Sequence, residues 1–373
     1  MSIKLLAPAC AIVLAMLAAT AYGVSNGTDA APPAPHNGTA AELPANITIM
    51  ETDGVLHTIP LEDIRYGGVP KDGIPSIDAP VFRNATDAPF MDDADVVIGL
   101  RINGDARAYP LFILVWHEIV NDEVGGAPVA VTYCPLCYTS QVFERVLDGE
   151  AVEFGTTGKL YQSNLLMYDR PTDTYWSQAL GTAVKGPLSG HILATVPLDL
   201  MEWGDWKSTY PETVVLSTDT GHSRAYGVDP YGSYYTDPRI LFPVNHIDDR
   251  MPPKEVIVGM KIGGTYKAYR QADVESRTII NDNMGGVSVL LLSEYAGNTR
   301  VFDRALGNMT LTFAYNGTAL TDAETGSEWN YEGLAVAGEL AGEQLARLSI
   351  WPGFWFEWAA FHPETLVYGD GQD

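Results

Sequence analysis

Cys134 and Cys137 are the residues of this chain whose type and spacing most directly indicate chemistry. They stand in the run Cys-Pro-Leu-Cys, and the one other cysteine of the chain is Cys10. Two thiols at this spacing can close a small disulfide or bind one soft metal ion. His117 lies one short structural element upstream, where it could add an imidazole nitrogen. The run therefore predicts a functional site rather than packing alone.

A soft-metal centre, most readily copper, is the first hypothesis for this site. Thiolate, imidazole and thioether ligands suit Cu(I) or Cu(II), whereas magnesium and calcium ions take oxygen ligands. Zinc held by three such ligands, with a fourth position open, is also chemically reasonable. Glu118 and Asp122 could orient the imidazole by accepting a hydrogen bond from its other nitrogen. The candidate metal ligands are His117, Cys134, Cys137 and Met167.

Two other interpretations of the cysteine pair stay open. A disulfide between Cys134 and Cys137 could simply hold a turn in an oxidising compartment, in which case the protein would be a non-catalytic surface module that binds a ligand or partner. In thiol–disulfide exchange, Cys134 would be the attacking thiolate, with its pKa lowered by His117, and Cys137 would be the resolving thiol. The alternation of strands and long helices that usually carries exchange chemistry is missing from this sequence.

The acidic composition excludes one large class of partner. The chain has 373 residues, a formal net charge of −25 and a pI near 4.5. Nucleic acids and anionic lipids are bound through clusters of Lys and Arg, which this sequence lacks. We therefore expect no nucleic-acid partner. A metal donor or acceptor protein, or a redox partner protein, fits the predicted site instead.

The amino terminus has the layout of a secretory signal peptide. Lys4 precedes an apolar run that ends in small residues near Gly23, and this run is short for a membrane span. We predict a signal over residues 1–23, a flexible segment over residues 24–66, no membrane span in the mature chain, and a secreted or cell-surface location. Glycosylation sequons, which only an exported chain would expose to modification, occur at Asn26, Asn37, Asn46, Asn84, Asn308 and Asn316.

The body of the chain contains an internal repeat, and its second copy has lost the predicted site. The two copies share glycine, Asn-Asp, apolar and tryptophan positions at a nearly constant offset. In this alignment His117 corresponds to Arg277, and Cys134 corresponds to Glu294. A structural role common to both halves would not need these residues, so we expect the function to reside in the first copy. The predicted units are a first repeat over residues 67–217, a connector rich in tyrosine and proline over residues 218–253, and a second, degenerate repeat over residues 254–370.

Local patterns predict a mainly β (α+β) fold made of two tandem, sequence-related, β-rich repeats with short helices. Asn103-Gly104 separates two apolar runs and is a strong hairpin signal, and Asp148-Gly149 is a second one. A short β-branched run leads into the cysteines. Helices are predicted at residues 112–120, 202–210 and 357–362.

Several distinctive runs resemble the DUF3179 family, whose function is uncharacterised. They include Gly-Ile-Pro at 73–75, Trp-His-Glu-Ile-Val-Asn-Asp at 116–122, Thr-Tyr-Cys-Pro-Leu-Cys at 132–137 and Ser-Asn-Leu-Leu-Met-Tyr-Asp-Arg at 163–170. The resemblance extends from about Gly67 to Tyr368. It supports the fold prediction and implies no established activity. The family usually has a small residue after the second cysteine, whereas this chain has Tyr138, which could alter access to the sulfurs.

Overall fold

Strands dominate residues 47–370, the part of the chain that the computed structural model describes, so the mainly β prediction is confirmed. The strands of the first half are β1 Met50–Thr52, β2 Val55–His57, β3 Arg65–Tyr66, β4 Phe82–Asn84, β5 Val96–Ile102, β6 Asp105–Pro110, β7 Ile119–Val124, β8 Ala127–Cys134, β9 Thr139–Glu144, β10 Val146–Leu147, β11 Glu150–Ala151, β12 Phe154–Tyr161, β13 Asn164–Asp169, β14 Tyr175–Ser177, β15 Thr182–Lys185, β16 Asp199–Glu202 and β17 Val214–Leu216.

The second half continues with shorter strands on average. They are β18 Val256–Ile262, β19 Thr265–Arg270, β20 Ile279–Met284, β21 Val287–Leu292, β22 Arg300–Asp303, β23 Ala305–Leu306, β24 Met309–Thr310, β25 Phe313–Tyr315, β26 Leu320–Asp322, β27 Glu328–Trp329, β28 Ala335–Ala337, β29 Arg347–Leu348, β30 Trp351–Phe354 and β31 Leu366–Val367. The α-helices of the described residues are α1 Leu111–Leu114, α2 Trp203–Thr209, α3 Gln271–Arg277 and α4 Trp355–Phe361, and the 3-10 helices are Leu61–Asp63, Ala85–Asp87 and Gly232–Thr236.

Matching sheets follow in the same order in the two halves. The first half has sheets of strand order β16-β5-β6-β17-β4, β7-β8-β9 and β1-β2-β15-β14-β13-β12-β3. The second half has β30-β18-β19-β31, β20-β21-β22-β29 and β25-β26-β27-β28. In both halves a late strand joins an early one in parallel, β17 beside β6 and β31 beside β19. The repeat and its boundaries stay a prediction, and the order of elements agrees with them.

A tryptophan in the last helix of each half is hydrogen-bonded to a threonine that follows the helix. The indole N–H of Trp206 in α2 donates to Thr213 Oγ1 at 2.8 Å, and the indole N–H of Trp358 in α4 donates to Thr365 Oγ1 at 2.8 Å. Each threonine ends a Pro-Glu-Thr run. The indole N–H groups are therefore satisfied inside the core, which is what burial of a tryptophan requires.

Both predicted hairpin turns are confirmed. Asn103 and Gly104 join β5 to β6 with φ values of 51° and 83°, the left-handed conformation that both central residues of a type I′ turn need. Asp148 and Gly149 join β10 to β11 with φ values of 52° and 84°.

The helix predicted at residues 112–120 is wrong. The structure has the short helix α1, and β7 already begins at Ile119. Glu118 takes a φ of 58°, which ends the turn, and Ile119 then pairs with Thr132 of β8. Because β-branched side chains favour a paired strand, tertiary pairing overrides the local apolar pattern. The other two predicted helices exist as α2 and α4, and α3 was not predicted.

Part of the amino-terminal predictions lies outside the described residues. These are the signal peptide, Cys10 and the sequons at Asn26, Asn37 and Asn46. Residues 47–66, assigned from sequence to a flexible segment, form β1 and β2 at one edge of the first half's largest sheet and β3 at the other edge. The sequon asparagines Asn84, Asn308 and Asn316 are exposed, and their glycosylation stays a prediction. None of the helices within residues 47–370 has the length and apolarity needed to cross a bilayer.

Gly99 of β5 and Gly259 of β18 allow Trp206 and Trp358, respectively, to pack closely against these strands. A Cβ atom on Gly99 would lie 2.3 Å from the Trp206 ring, and a Cβ atom on Gly259 would lie 2.4 Å from the Trp358 ring. We expect Gly99→Ala and Gly259→Ala each to lower the free energy of unfolding by roughly 2 kcal/mol or more, because the rings cannot move without strain. Urea unfolding would measure this.

Gly104→Ala is the matched control, because its φ is 83° but nothing lies within 4 Å of the added methyl group. Only backbone strain of about 1 kcal/mol is expected there. Equal losses in all three variants would contradict the close-packing explanation.

Candidate functional site

The two cysteines lie in the loop that joins β8 to β9. Cys134 ends β8 and pairs with Thr139, the first residue of β9. Within the loop, the Cys137 backbone N–H donates to the Cys134 carbonyl oxygen at 3.2 Å, which brings the two residues onto one side of a tight turn. Tyr138 completes the turn with a φ of 57°, a conformation that few non-glycine residues adopt. Local turn geometry therefore places the two thiols together.

Both cysteines are free thiols, and both are buried, with 1% and 0% of their surface exposed. The Cys137 thiol donates to the Ser163 carbonyl oxygen at 3.2 Å. Burial raises the pKa of Cys137 well above its usual value, and a hydrogen bond with the Cys134 side chain and the charge of Glu357 add to this, while Asn164 acts against it. The protonated thiol is therefore the resting form of Cys137.

Glu357 is a functional candidate that sequence reasoning missed. It belongs to α4 in the second half, it is buried, and it is close enough to Cys137 of the first half to raise the pKa of that thiol. Asn164 Nδ2 donates to Glu357 Oε1 at 3.3 Å. Burial raises the pKa of Glu357 to about 8, and a hydrogen bond from Thr139 partly offsets this. The available signal was a single carboxyl in the otherwise apolar run Trp-Phe-Glu-Trp-Ala-Ala-Phe, which is unusual inside a core.

Tyrosines of the connector cover the cysteine loop. Tyr234, in the 3-10 helix Gly232–Thr236, donates its hydroxyl to the Leu136 carbonyl oxygen at 2.8 Å. The Lys254 ammonium lies 3.2 Å from the centre of the Tyr234 ring and donates to the Tyr234 carbonyl oxygen. Tyr138 stacks on Phe354 with ring centres 5.4 Å apart. Both sulfurs are thus enclosed in an aromatic shell.

His117 is buried, and both of its ring nitrogens are engaged by other groups. Nδ1 lies 2.7 Å from the Pro75 carbonyl oxygen, which can only accept, so Nδ1 carries the proton. Nε2 lies 2.6 Å from the Tyr226 hydroxyl and accepts its hydrogen. Burial lowers the pKa of His117 to about 4, while the Pro75 hydrogen bond opposes this shift. The ring is therefore neutral, and its one lone pair is occupied by Tyr226.

The two carboxyls that were expected to orient His117 have other surroundings. Asp122 accepts from the Arg107 guanidinium at 2.8 and 2.9 Å and from the Tyr109 hydroxyl at 2.6 Å. Glu118 is buried, and burial raises its pKa to about 8. Since Pro75 and Tyr226 take both ring nitrogens, neither carboxyl is a hydrogen-bond partner of His117.

The structure brings two of the four candidate metal ligands together. Cys134 and Cys137 are neighbours, and Met167 packs in the same apolar cluster. Within residues 47–370, no group of three or more His, Cys, Asp or Glu side chains is placed to hold a metal ion, so His117 does not join the sulfurs. Copper and zinc binding stay predictions, and the sulfurs of Cys134 and Cys137 are the candidate ligands that remain close together.

A β-rich protein with a buried two-thiol site is the class that this fold and geometry define. The chain belongs to the DUF3179 family, described as a protein of unknown function, whose model matches residues 71–365. This confirms the resemblance found in the sequence. No curated protein and no solved structure matches the chain.

The raised pKa of Glu357 makes stability depend on pH. The folded state keeps the carboxyl protonated up to about pH 8, whereas the unfolded chain releases the proton near pH 4.5. The stabilising contribution is therefore complete at acid pH and is lost as the pH rises through this window. Between about pH 4.5 and pH 8, the wild-type protein should lose unfolding free energy as the pH rises. Glu357→Gln should reduce this loss by up to ~1.4 kcal/mol per pH unit.

Urea unfolding at a series of pH values would measure this slope. Glu364→Gln, at an exposed position of the same half, is the control and should keep the wild-type slope. A Glu357→Gln protein with an unchanged slope would show that this carboxyl is already ionised when folded.

Proposed function

We propose that this protein is an extracytoplasmic Cu(I)-binding protein that holds the ion between the thiolates of Cys134 and Cys137. The observation that carries the proposal is the pair of sulfurs, adjacent to each other and buried in one apolar cluster. The signal-like amino terminus supports export.

The number and type of ligands favour Cu(I) over other metal ions. Cu(I) is a soft ion that prefers sulfur ligands and accepts as few as two of them. Zinc sites use three or four protein ligands, and iron–sulfur clusters use about four thiolates. Magnesium and calcium prefer oxygen. A site with two sulfurs and with His117 committed to Tyr226 therefore fits Cu(I) best.

The surroundings of the sulfurs suit a thiolate-bound monovalent ion. Asn164, whose amide reaches Glu357 at 3.3 Å, is also a hydrogen-bond donor close to Cys137. Two thiolates and one Cu(I) ion together carry a single negative charge. Glu357 is neutral at neutral pH, so it adds no further negative charge near this complex. The aromatic shell excludes water, which strengthens the metal–thiolate attraction. Because both thiols must lose a proton, binding should tighten as the pH rises.

Anaerobic titration with Cu(I) against a chromophoric competitor tests the proposal. We expect one ion per chain. Cys134→Ser and Cys137→Ser should each weaken binding by more than the roughly 10- to 100-fold that loss of a neighbouring hydrogen-bond partner costs. His117→Gln, checked for a native fold, should keep the wild-type affinity. Binding that survives both cysteine substitutions, or that disappears with His117→Gln in a folded protein, would refute the two-sulfur centre.

A dithiol–disulfide couple is the second candidate, and the buried carboxyl of Glu357, which is close enough to Cys137 to raise the pKa of that thiol, favours it. In this reaction both thiols lose their protons, a bond forms between the two sulfurs, and a partner disulfide takes the two electrons and two protons as it becomes two thiols. Glu357, when ionised, can accept the proton of Cys137 as the sulfur attacks. Reactants and products at the buried site are both neutral, so burial does not oppose the reaction.

Equilibration in glutathione redox buffers, read out by thiol alkylation and mass, separates the alternatives. A redox couple should switch reversibly between dithiol and disulfide, and Glu357→Gln should slow the oxidation. A disulfide that resists mild reductant would instead support the non-catalytic surface module with a structural bridge. A dithiol that stays reduced in every buffer would refute both the redox couple and the structural disulfide, and it would leave Cu(I) binding as the function to test.

A further inference from the structure

A cavity lies mainly in the second half, and neither Cys134 nor Cys137 lines it. Its volume is about 620 Å³. Most of its lining comes from residues 315–320 and 328–332, and Arg101, Thr209 and Tyr210 of the first half complete its wall. A cavity of this size is in the range of small-molecule sites.

This cavity occupies the place in the second half that the thiol site occupies in the first. Glu294, at the position aligned with Cys134, lines it, and so does Thr278, at the position aligned with Glu118. Thr278 and Glu118 both have positive φ, 66° and 58°. The Thr278 carbonyl accepts from the Ser293 backbone N–H at 2.8 Å, and the Glu118 carbonyl accepts from the Tyr133 backbone N–H at 2.9 Å. The local backbone is thus the same while the chemistry differs.

The two places are closed differently. In the first half, Tyr234 of the connector and Phe354 pack over the cysteine loop. In the second half, Thr209 of α2 lines the cavity, and Asp205 of the same helix is close enough to Glu294 to contribute to raising the pKa of that carboxyl. No tyrosine-bearing connector lines the cavity, so the space stays open.

Two polar groups of the cavity lack partners in residues 47–370. The Tyr331 hydroxyl is buried without a hydrogen-bond partner. The Glu294 side chain, which is exposed and lines the cavity, takes part in no hydrogen bond or ion pair of the described residues, and partial desolvation raises its pKa. Unpaired polar groups that face a cavity are the groups that a ligand would satisfy.

The charges around the cavity favour a cation. Arg300 forms a two-point ion pair with Asp199, at 2.7 and 2.9 Å, and Asp199 also accepts from Arg347 at 2.8 Å. The charged lining consists of three carboxyl side chains, Glu294, Glu328 and Glu332, against two guanidinium groups, those of Arg101 and Arg300. The net charge of −25 repels anions over the whole surface. Leu292 and Leu320, both buried, provide an apolar surface beneath these charges.

We propose that this cavity binds a small organic ammonium ion. The ammonium group would donate to the carboxylate of Glu294 and to the Tyr331 hydroxyl oxygen, and the alkyl part would lie against Leu292 and Leu320. The site is independent of the cysteines, so it stands or falls separately from Cu(I) binding.

Calorimetric titration of the full chain with three four-carbon probes tests this. Putrescine carries an ammonium group at each end, butanediol a hydroxyl and succinate a carboxylate, at the same chain length. Salt at about 0.15 M screens the diffuse surface charge. We expect putrescine to bind and the other two probes to give no binding heat.

Glu294→Gln and Tyr331→Phe should each lower the affinity for putrescine by about tenfold, the cost of one charge-assisted hydrogen bond. Glu212→Gln removes an exposed carboxyl outside the cavity and should leave the affinity unchanged. The proposal is overturned if putrescine does not bind, if butanediol or succinate binds as tightly, or if neither cavity variant weakens binding.

Discussion

The thiol site depends on a close backbone contact between the two halves of the chain. The Phe354 N–H at the end of β30 donates to the Cys137 carbonyl oxygen at 2.8 Å. Gly353 makes this approach possible, since a Cβ atom there would lie 2.8 Å from Thr139 Oγ1. The helix α4 starts directly after this contact, and it brings Glu357 close enough to Cys137 to raise the pKa of that thiol. Without this docking, the cysteine loop would be an ordinary hairpin end.

Burial then decides the protonation states at the centre of the molecule. Glu118 and Glu357 have pKa values raised to about 8, and His117 has a pKa lowered to about 4, in each case because the charged form loses its hydration. All three groups are neutral at neutral pH. The chain has a net charge of −25, yet these three buried groups are uncharged. Such surroundings suit a reaction whose reactants and products carry little net charge, such as the conversion of two thiols to a disulfide.

A second contact between the halves is ionic. Asp199 of β16 is buried and accepts from Arg300, at 2.7 Å, and from Arg347, at 2.8 Å. These two cations hold the pKa of Asp199 far below its usual range in spite of burial. Arg300 of this ionic contact also lines the 620 Å³ cavity, as the Phe354 contact lies beside the thiols. Contacts between the halves therefore lie beside both the buried sulfur site and the polar cavity.

Local chemistry in the sequence determined much of this protein. Asn103-Gly104 specified a hairpin through its tolerance of positive φ, and the spacing of Cys134 and Cys137 placed the sulfurs in one turn, because both effects act within a few residues. Only the tertiary structure decided the direction of His117, whose partners Pro75 and Tyr226 are distant in the chain, and the arrival of Glu357 from the other half. These outcomes depend on long-range burial and backbone pairing, and no local pattern of residue types encodes which distant group will fill a given space.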